Sequence, residues 1–232
     1  MPNTIALQES VVYGPIHSRR LGASLGINVL PADRKVCSSN CVYCQYGWTL
    51  PGQSGEPLRR APELLREIEQ AFARFAGDGT SVDCITLAGN GEPTLHPDLE
   101  ALIAGLKRLR DRHFPAAAVG ILTDSTQVTR PAVRRALGLC DRRYMKFDAA
   151  DEATWRQINL PFGQTDFAAM VEGLRSLPEI VLQSMFIQGR YDNTGEAHVR
   201  AWIEAVGAIR PGSVQVYTVD RGTAAEGITE VP

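Results

Sequence analysis

Along the 232 residues, short apolar runs alternate with segments whose apolar positions recur every three or four residues. The runs at 25–30, 82–88, 118–123, 143–148, 180–187 and 214–219 read as strands, because they are short, continuous and bounded by turn residues. Between them lie helical stripes. Leu64, Leu65, Ile68, Phe72 and Phe75 make one face; Leu99, Leu102, Ile103 and Leu106 make the next. Val133, Ala136, Leu137 and Cys140 follow, then Phe167, Met170, Val171 and Leu174, then Val199, Trp202, Ile203 and Val206. Pro62, Pro97 and Pro131 stand near the predicted helix starts, where a missing N–H costs nothing.

Strand followed by helix, repeated and ending on a sixth strand, predicts an α/β fold with a parallel sheet and right-handed crossovers. Six strands can make a doubly wound open sheet or a partial (βα)6 TIM-like barrel. In either, ligands gather at the C-terminal strand ends. No composition shift marks a second domain. The expected division is an N-terminal extension at 1–22, a barrel at 23–219 and a tail at 220–232. The loop at 45–60, rich in glycine and proline, reads as a cover beside the site or as a plain surface loop.

A hydrophobic content of 44% supplies a substantial core, and a formal net charge of -2 argues against a general nucleic-acid surface. Only three lysines occur, Lys35, Lys107 and Lys146, so the positive charge is nearly all arginine. No apolar run is long enough to span a bilayer, and residues 1–10 lack a signal-peptide core. The five cysteines do not read as a disulfide framework. A reducing, cytoplasmic setting fits both observations.

Three of those cysteines fall within eight residues, Cys37-Ser38-Ser39-Asn40-Cys41-Val42-Tyr43-Cys44. Three thiolates that close can hold three irons of a 4Fe–4S cube and leave the fourth open for chemistry. A zinc site and a redox pair formed by Cys41 and Cys44 are the alternatives that spacing leaves standing. After the second expected strand comes Ala88-Gly89-Asn90-Gly91-Glu92-Pro93-Thr94-Leu95. Its glycines permit close backbone approach, and its carboxylate suits an ammonium group; it also reads as an ordinary turn into a helix. Thr123, Asp124 and Ser125 close the third expected strand, Lys146 and Asp148 the fourth. A simple salt bridge accounts for the latter pair equally well, and a Schiff base at Lys146 would need a depressed pKa. Gln183 and Ser184 are polar positions in an apolar run. His17, Ser18, Arg19 and Arg20 form an anion-friendly group or a solvated charge cluster, and Arg221 reads the same way. Cys84 and Cys140 read as buried small hydrophobes.

In combination, order and position, the cysteine and Gly–Glu motifs resemble those of the radical S-adenosylmethionine (radical SAM) superfamily. Val12-Tyr13-Gly14-Pro15, Ser18-Arg19-Arg20-Leu21-Gly22, Gly91-Glu92-Pro93-Thr94-Leu95 and Lys146-Phe147-Asp148 are similar to the branch of short proteins related to the wyosine-forming tRNA enzymes. The resemblance implies a 4Fe–4S cluster on Cys37, Cys41 and Cys44, with S-adenosylmethionine on its open iron. It implies cofactor contacts from Tyr43, Gly91, Glu92, Pro93, Ser125, Lys146, Asp148, Gln183, Val216 and Tyr217. The activity implied is reductive cleavage to a 5′-deoxyadenosyl radical that abstracts hydrogen from a substrate, a small molecule or an RNA base. An electron donor such as flavodoxin or ferredoxin is the implied partner.

Two departures bear on the resemblance. The tRNA-modifying relatives carry a further cysteine group before the main motif, and residues 1–36 here contain no cysteine. The chain also stops at Pro232, soon after the sixth expected strand, where relatives run on. Two rival readings are an activase that installs a radical on a partner protein and a non-catalytic metal-binding module.

Overall fold

The computed structural model describes residues 4–18, 20–50, 52, 55 and 57–232. Arg19 of the anion-friendly group, and Pro51, Gln53, Ser54 and Glu56 of the glycine- and proline-rich loop, lie outside the described residues.

The six expected strands are present and parallel. They are β2 (Gly22–Ile27), β3 (Cys84–Leu87), β4 (Ala118–Thr123), β5 (Arg142–Lys146), β6 (Ile180–Met185) and β8 (Ser213–Tyr217). A seventh, β1 (Val12–Ser18), pairs antiparallel with β2 and gives the order β1-β2-β3-β4-β5-β6-β8. Residues 12–18, read from sequence as part of an extension, therefore join the sheet. Gly14 and Pro15 hide this strand from a pattern reading. An edge position with a register shift between Tyr13 and Ile16 tolerates them.

The sheet curls into a half-barrel. Between β2 and β8 lie five inter-strand steps, about 24 Å across a flat sheet. Yet the guanidinium of Arg20, in the turn entering β2, lies 4.6 Å from the ring of Tyr217 on β8. The two margins face each other across the concave side. By strand alternation that side carries polar groups. The Ser24 and Thr86 hydroxyls are 2.9 Å apart, and Gln183 donates to Gln215 at 2.8 Å.

The convex face is apolar and lies under the helices α1 (Ala61–Gly77), α2 (Leu99–His113), α3 (Pro131–Leu139), α5 (Phe167–Arg175) and α6 (Glu196–Ile209). Leu25, Ile27, Ile85, Leu87, Val119, Ile121, Met145 and Leu182 meet Leu64, Ile68, Phe72, Leu102, Leu106, Leu137 and Leu174 in one core. Each fully buried side chain of this size contributes about 1.5–3 kcal/mol.

A second, smaller apolar cluster lies above the C-terminal strand ends. It joins Val42 and Tyr43 to Ile158, Ile187 and Ala225. Two unanticipated elements build it: α4 (Glu152–Asn159), and the antiparallel pair β7 (Gln188–Gly189) with β9 (Ile228–Thr229). Helix α4 is two turns long and buries only Trp155 and Ile158 among its large apolar residues, too little to register as a stripe. Among the described residues, no helix is long and apolar enough to cross a membrane.

Candidate functional site at the C-terminal strand ends

The three clustered cysteines occupy the loop that leaves β2, and backbone hydrogen bonds hold that loop on three sides. Val36 N–H donates to Asn90 O at 2.8 Å, and Glu92 N–H donates back to Val36 O at 2.9 Å. Asn40 and Val42 donate to Leu160 O and Ile158 O just past and within α4, at 3.0 and 2.9 Å. Ala225 N–H donates to Val42 O at 2.8 Å. Gly91 makes the first contact possible. Its φ is 139°, and a Cβ there would lie 1.8 Å from Val36 O.

Each sulfur meets a different neighbour. Lys35 Nζ lies 3.2 Å from Cys44 Sγ and donates to Gly47 O at 2.6 Å. Asn159 Nδ2 lies 3.4 Å from Cys41 Sγ. Cys37 Sγ lies 4.0 Å from the Asp124 carboxylate. Burial, then Asp124, hold the Cys37 thiol well above the ordinary range; burial and Asp148 push Cys41 up to about 11. These thiols ionise readily only beside a new positive charge, which is what a metal group brings. Among the described residues, no three or more histidine, cysteine or acidic side chains converge where a single metal ion would sit. Three thiols within eight residues of one loop fit a polynuclear group, in which each sulfur would meet its own iron.

Two acidic centres flank the loop. On one side, Glu92 accepts from the Thr94 amide (2.9 Å), the Thr94 hydroxyl (2.6 Å) and the Asp124 amide (2.6 Å). Burial and the neighbouring Asp124 raise its pKa against those hydrogen bonds. Asp124 in turn accepts from the Ser38 and Ser39 hydroxyls at 2.7 and 2.9 Å, and from Thr126. The Gly–Glu turn thus holds the loop through its backbone, and its carboxylate sets the Asp124 amide whose side chain takes the loop's two serines.

On the other side, Asp148 accepts from Met185 N–H at 2.8 Å, from Asn159 Nδ2 at 2.6 Å and from the Tyr43 hydroxyl. Lys146 Nζ stands 3.9 Å from Asp148 and 2.5 Å from the Tyr217 hydroxyl. It also lies 4.7 Å from the Tyr43 ring. Burial alone would lower the Lys146 pKa, but Asp148 and Tyr217 outweigh it and carry the pKa up. Lys146 is therefore a fixed cation, and the Schiff-base reading lacks the depressed pKa it needs. Asn159 Oδ1 is buried beside this group with no hydrogen-bond partner among the described residues.

The structure brings most of the sequence-predicted residues to this face. Tyr43, Gly91, Glu92, Pro93, Lys146, Asp148 and Tyr217 lie around the cysteine loop. Ser125, in a left-handed conformation (φ 71°), ties β4 to β5 by donating to Lys146 O at 2.9 Å. Gln183 pairs opposite Lys146 in the ladder and points to the concave side with Gln215. Val216 stands apart: it is 58% exposed and lies on the opposite sheet face from Tyr217. Ser184 donates to Phe147 O on the convex side. Cys84 and Cys140 are buried and free. Arg20 stacks on Tyr217, whereas Arg221 has its nearest carboxylate, Asp220, at 3.9 Å.

Sequence reasoning missed Lys35 and Asn159. A lysine directly before the motif, in a chain with three, was a usable signal. Asn159, 118 and 116 positions from Cys41 and Tyr43, carries none in its own neighbourhood.

A parallel half-barrel with three cysteines on its first C-terminal loop and a Gly–Glu turn on its second defines a class. The Radical SAM superfamily model matches residues 35–199, and the chain belongs to that superfamily. It is 34% identical over 212 residues to a UPF0026 protein of Synechocystis sp., covering 88% of this chain and 74% of that one. It is 31% identical over 224 residues to a protein named GTPase Obg from Brachyspira hyodysenteriae. That match covers 95% of this chain and 31% of the relative, so the chain spans about a third of that protein. Among solved structures, TYW1 with a lysine-pyruvate adduct bound superposes with a TM-score of 0.61 at 14% identity. The superposition covers 84% of this chain and 64% of that one, a likeness of fold.

Proposed function

We propose that this chain is a cytoplasmic radical SAM enzyme, with Cys37, Cys41 and Cys44 holding a 4Fe–4S cluster and the surrounding strand ends holding S-adenosylmethionine. When bound, the pair supplies reductive cleavage of the sulfonium bond and a 5′-deoxyadenosyl radical that removes hydrogen from the substrate. The carrying observation is the cysteine loop itself: three thiols on one loop, pinned by Gly91 and flanked by Glu92 and Lys146.

The chain's own residues divide the work. The Gly91-Glu92-Pro93 backbone offers carbonyls to the methionine ammonium, while the Glu92 side chain keeps the turn and the β4 end in register. Lys146, a cation 83% shielded from solvent at its side chain, attracts the methionine carboxylate. Asp148 fixes Tyr43 and Asn159 behind the loop. Ser125, Gln183, Tyr217 and the backbone at Val216 border the nucleoside. The polar concave face, with Arg20 across its mouth, suits a polar substrate bearing a negative group, either a small molecule or an RNA base. A low-potential donor of the flavodoxin or ferredoxin class supplies the electron.

The test is anaerobic reconstitution with iron and sulfide, addition of dithionite and S-adenosylmethionine, and mass-spectrometric measurement of 5′-deoxyadenosine. Product from the wild type and none from Cys44→Ala is expected. A fully loaded wild type that makes no product would overturn the reading.

A further inference from the structure

Lys35 is 6% exposed, and its ammonium is aimed at the third cysteine. It lies 3.2 Å from Cys44 Sγ and 2.6 Å from Gly47 O, and among the described residues it forms no ion pair with a carboxylate. A buried ammonium is costly unless an anion compensates it. The sulfur of Cys44 is the group this geometry sets against it.

Among the described residues, the other two sulfurs have no ammonium within hydrogen-bond distance. Cys41 faces the neutral amide of Asn159 at 3.4 Å, and Cys37 faces the Asp124 carboxylate at 4.0 Å. Within contact distance, then, Cys44 has a cation, Cys41 an amide with Asp148 and Lys146 farther off, and Cys37 a carboxylate. Among the described residues, Lys35 is the cation in hydrogen-bond contact with a ligand sulfur, whereas Lys146 contacts Tyr43, Asp148 and Tyr217.

We infer that Lys35 is a positioning residue for electron entry: its fixed charge and hydrogen bond at Cys44 raise the reduction potential of the iron–sulfur group held on this loop. The inference rests on the function proposed above. One electron passes from a low-potential donor of the flavodoxin or ferredoxin class to that group; the donor is oxidised by one electron and the group reduced by one. Lys35 forms no covalent bond in this step. A positive charge a few ångströms from the added electron, shielded from water, favours the reduced form.

The experiment is an electron-paramagnetic-resonance redox titration of the reconstituted holoprotein, with iron and sulfide assayed on each sample. Lys35→Met removes the charge and Lys35→Arg keeps it. At a fixed potential near the wild-type midpoint, the Met variant should show a reduced-to-oxidised ratio lower by about tenfold, equivalent to about 59 mV for one electron. The Arg variant should stay within about twofold of wild type, since charge and donor are both retained. Equal midpoints for the fully loaded Met variant and wild type would overturn the inference. So would an Arg variant displaced as far as the Met variant, because shape rather than charge would then be responsible. If the Met variant loads poorly, Lys35→Gln takes its place under the same criterion. A wild type that takes up no iron and sulfide would overturn the functional reading and this one with it, whereas a loaded group with an unmoved potential overturns this one alone.

Discussion

Gly91 shows how one residue joins the fold to the site. Its positive φ and the missing Cβ let Val36 O approach from the cysteine loop, where that oxygen also accepts the Glu92 amide. Gly91→Ala strains the backbone by about 1–3 kcal/mol and drives a methyl into Val36 O. The expected outcome is a lowered urea midpoint together with iron uptake well below wild type; wild-type uptake would show that the loop is held by other contacts. The chemistry of such residues was legible in sequence because it is local: three cysteines in eight positions, and Gly–Glu after a strand. Asn159 was not legible. Its role depends on α4 folding back so that its amide reaches Cys41, Tyr43 and Asp148, and long-range placement leaves no mark on the residues beside it.

The six parallel strands and five of the helices were readable at the level of elements, because each carries a continuous apolar run or an apolar stripe, even where, as in α6 and β8, that run or stripe is only partly buried. The run at 118–123 matches β4, and the other five overshot their strands at the C-terminal end: 143–148 was expected, and β5 ends at Lys146. Phe147 still donates its amide to Gln183 O at 2.9 Å, and the chain turns into the site from there, a departure that apolar continuity does not signal. Beneath the other end of the sheet, Asp141 fastens three elements. It accepts from Val119 N–H at 2.8 Å, Lys107 at 2.8 Å and Arg110 at 2.9 Å, joining α2 to the starts of β4 and β5. Burial pulls the Asp141 pKa up, but hydrogen bonds from Lys107, the Val119 amide and Arg110 bring it below the ordinary carboxylate value. A depressed folded-state pKa gives stability that is present above the unfolded pKa and is lost as pH falls through the folded one. Asp141→Asn should therefore lower the melting temperature at pH 7, and the gap to wild type should narrow as the pH is taken below about 4. A gap that stays constant with pH would assign the effect to hydrogen-bond geometry rather than charge. Because this end of the barrel carries stability and not the site, iron uptake at pH 7 should remain intact.

Viewed as a whole, the molecule has two apolar cores with different duties. The large one between sheet and helices sets the half-barrel. The small one holds the cysteine loop against α4 and the segment after β8. That segment reads from sequence as a tail, polar and glycine-bearing. In the structure Ala225 is 8% exposed and donates to Val42 O; Val231 N–H donates to the Thr218 hydroxyl at 2.8 Å; and β9 pairs with β7. The loop thus depends on a residue 183 positions later in the chain, Ala225 against Val42, whereas the strands beneath it do not. Removing residues 218–232 should leave the large core folded, because none of its buried members lies in that segment. Amide hydrogen exchange should then quicken across 37–47 and 187–190, with β3 and β4 protected as before. Iron uptake should fall in parallel. Uniformly faster exchange would mean instead that the two cores unfold as one unit, and unchanged exchange at 37–47 would mean that α4 and the Gly–Glu turn suffice to hold the cysteines.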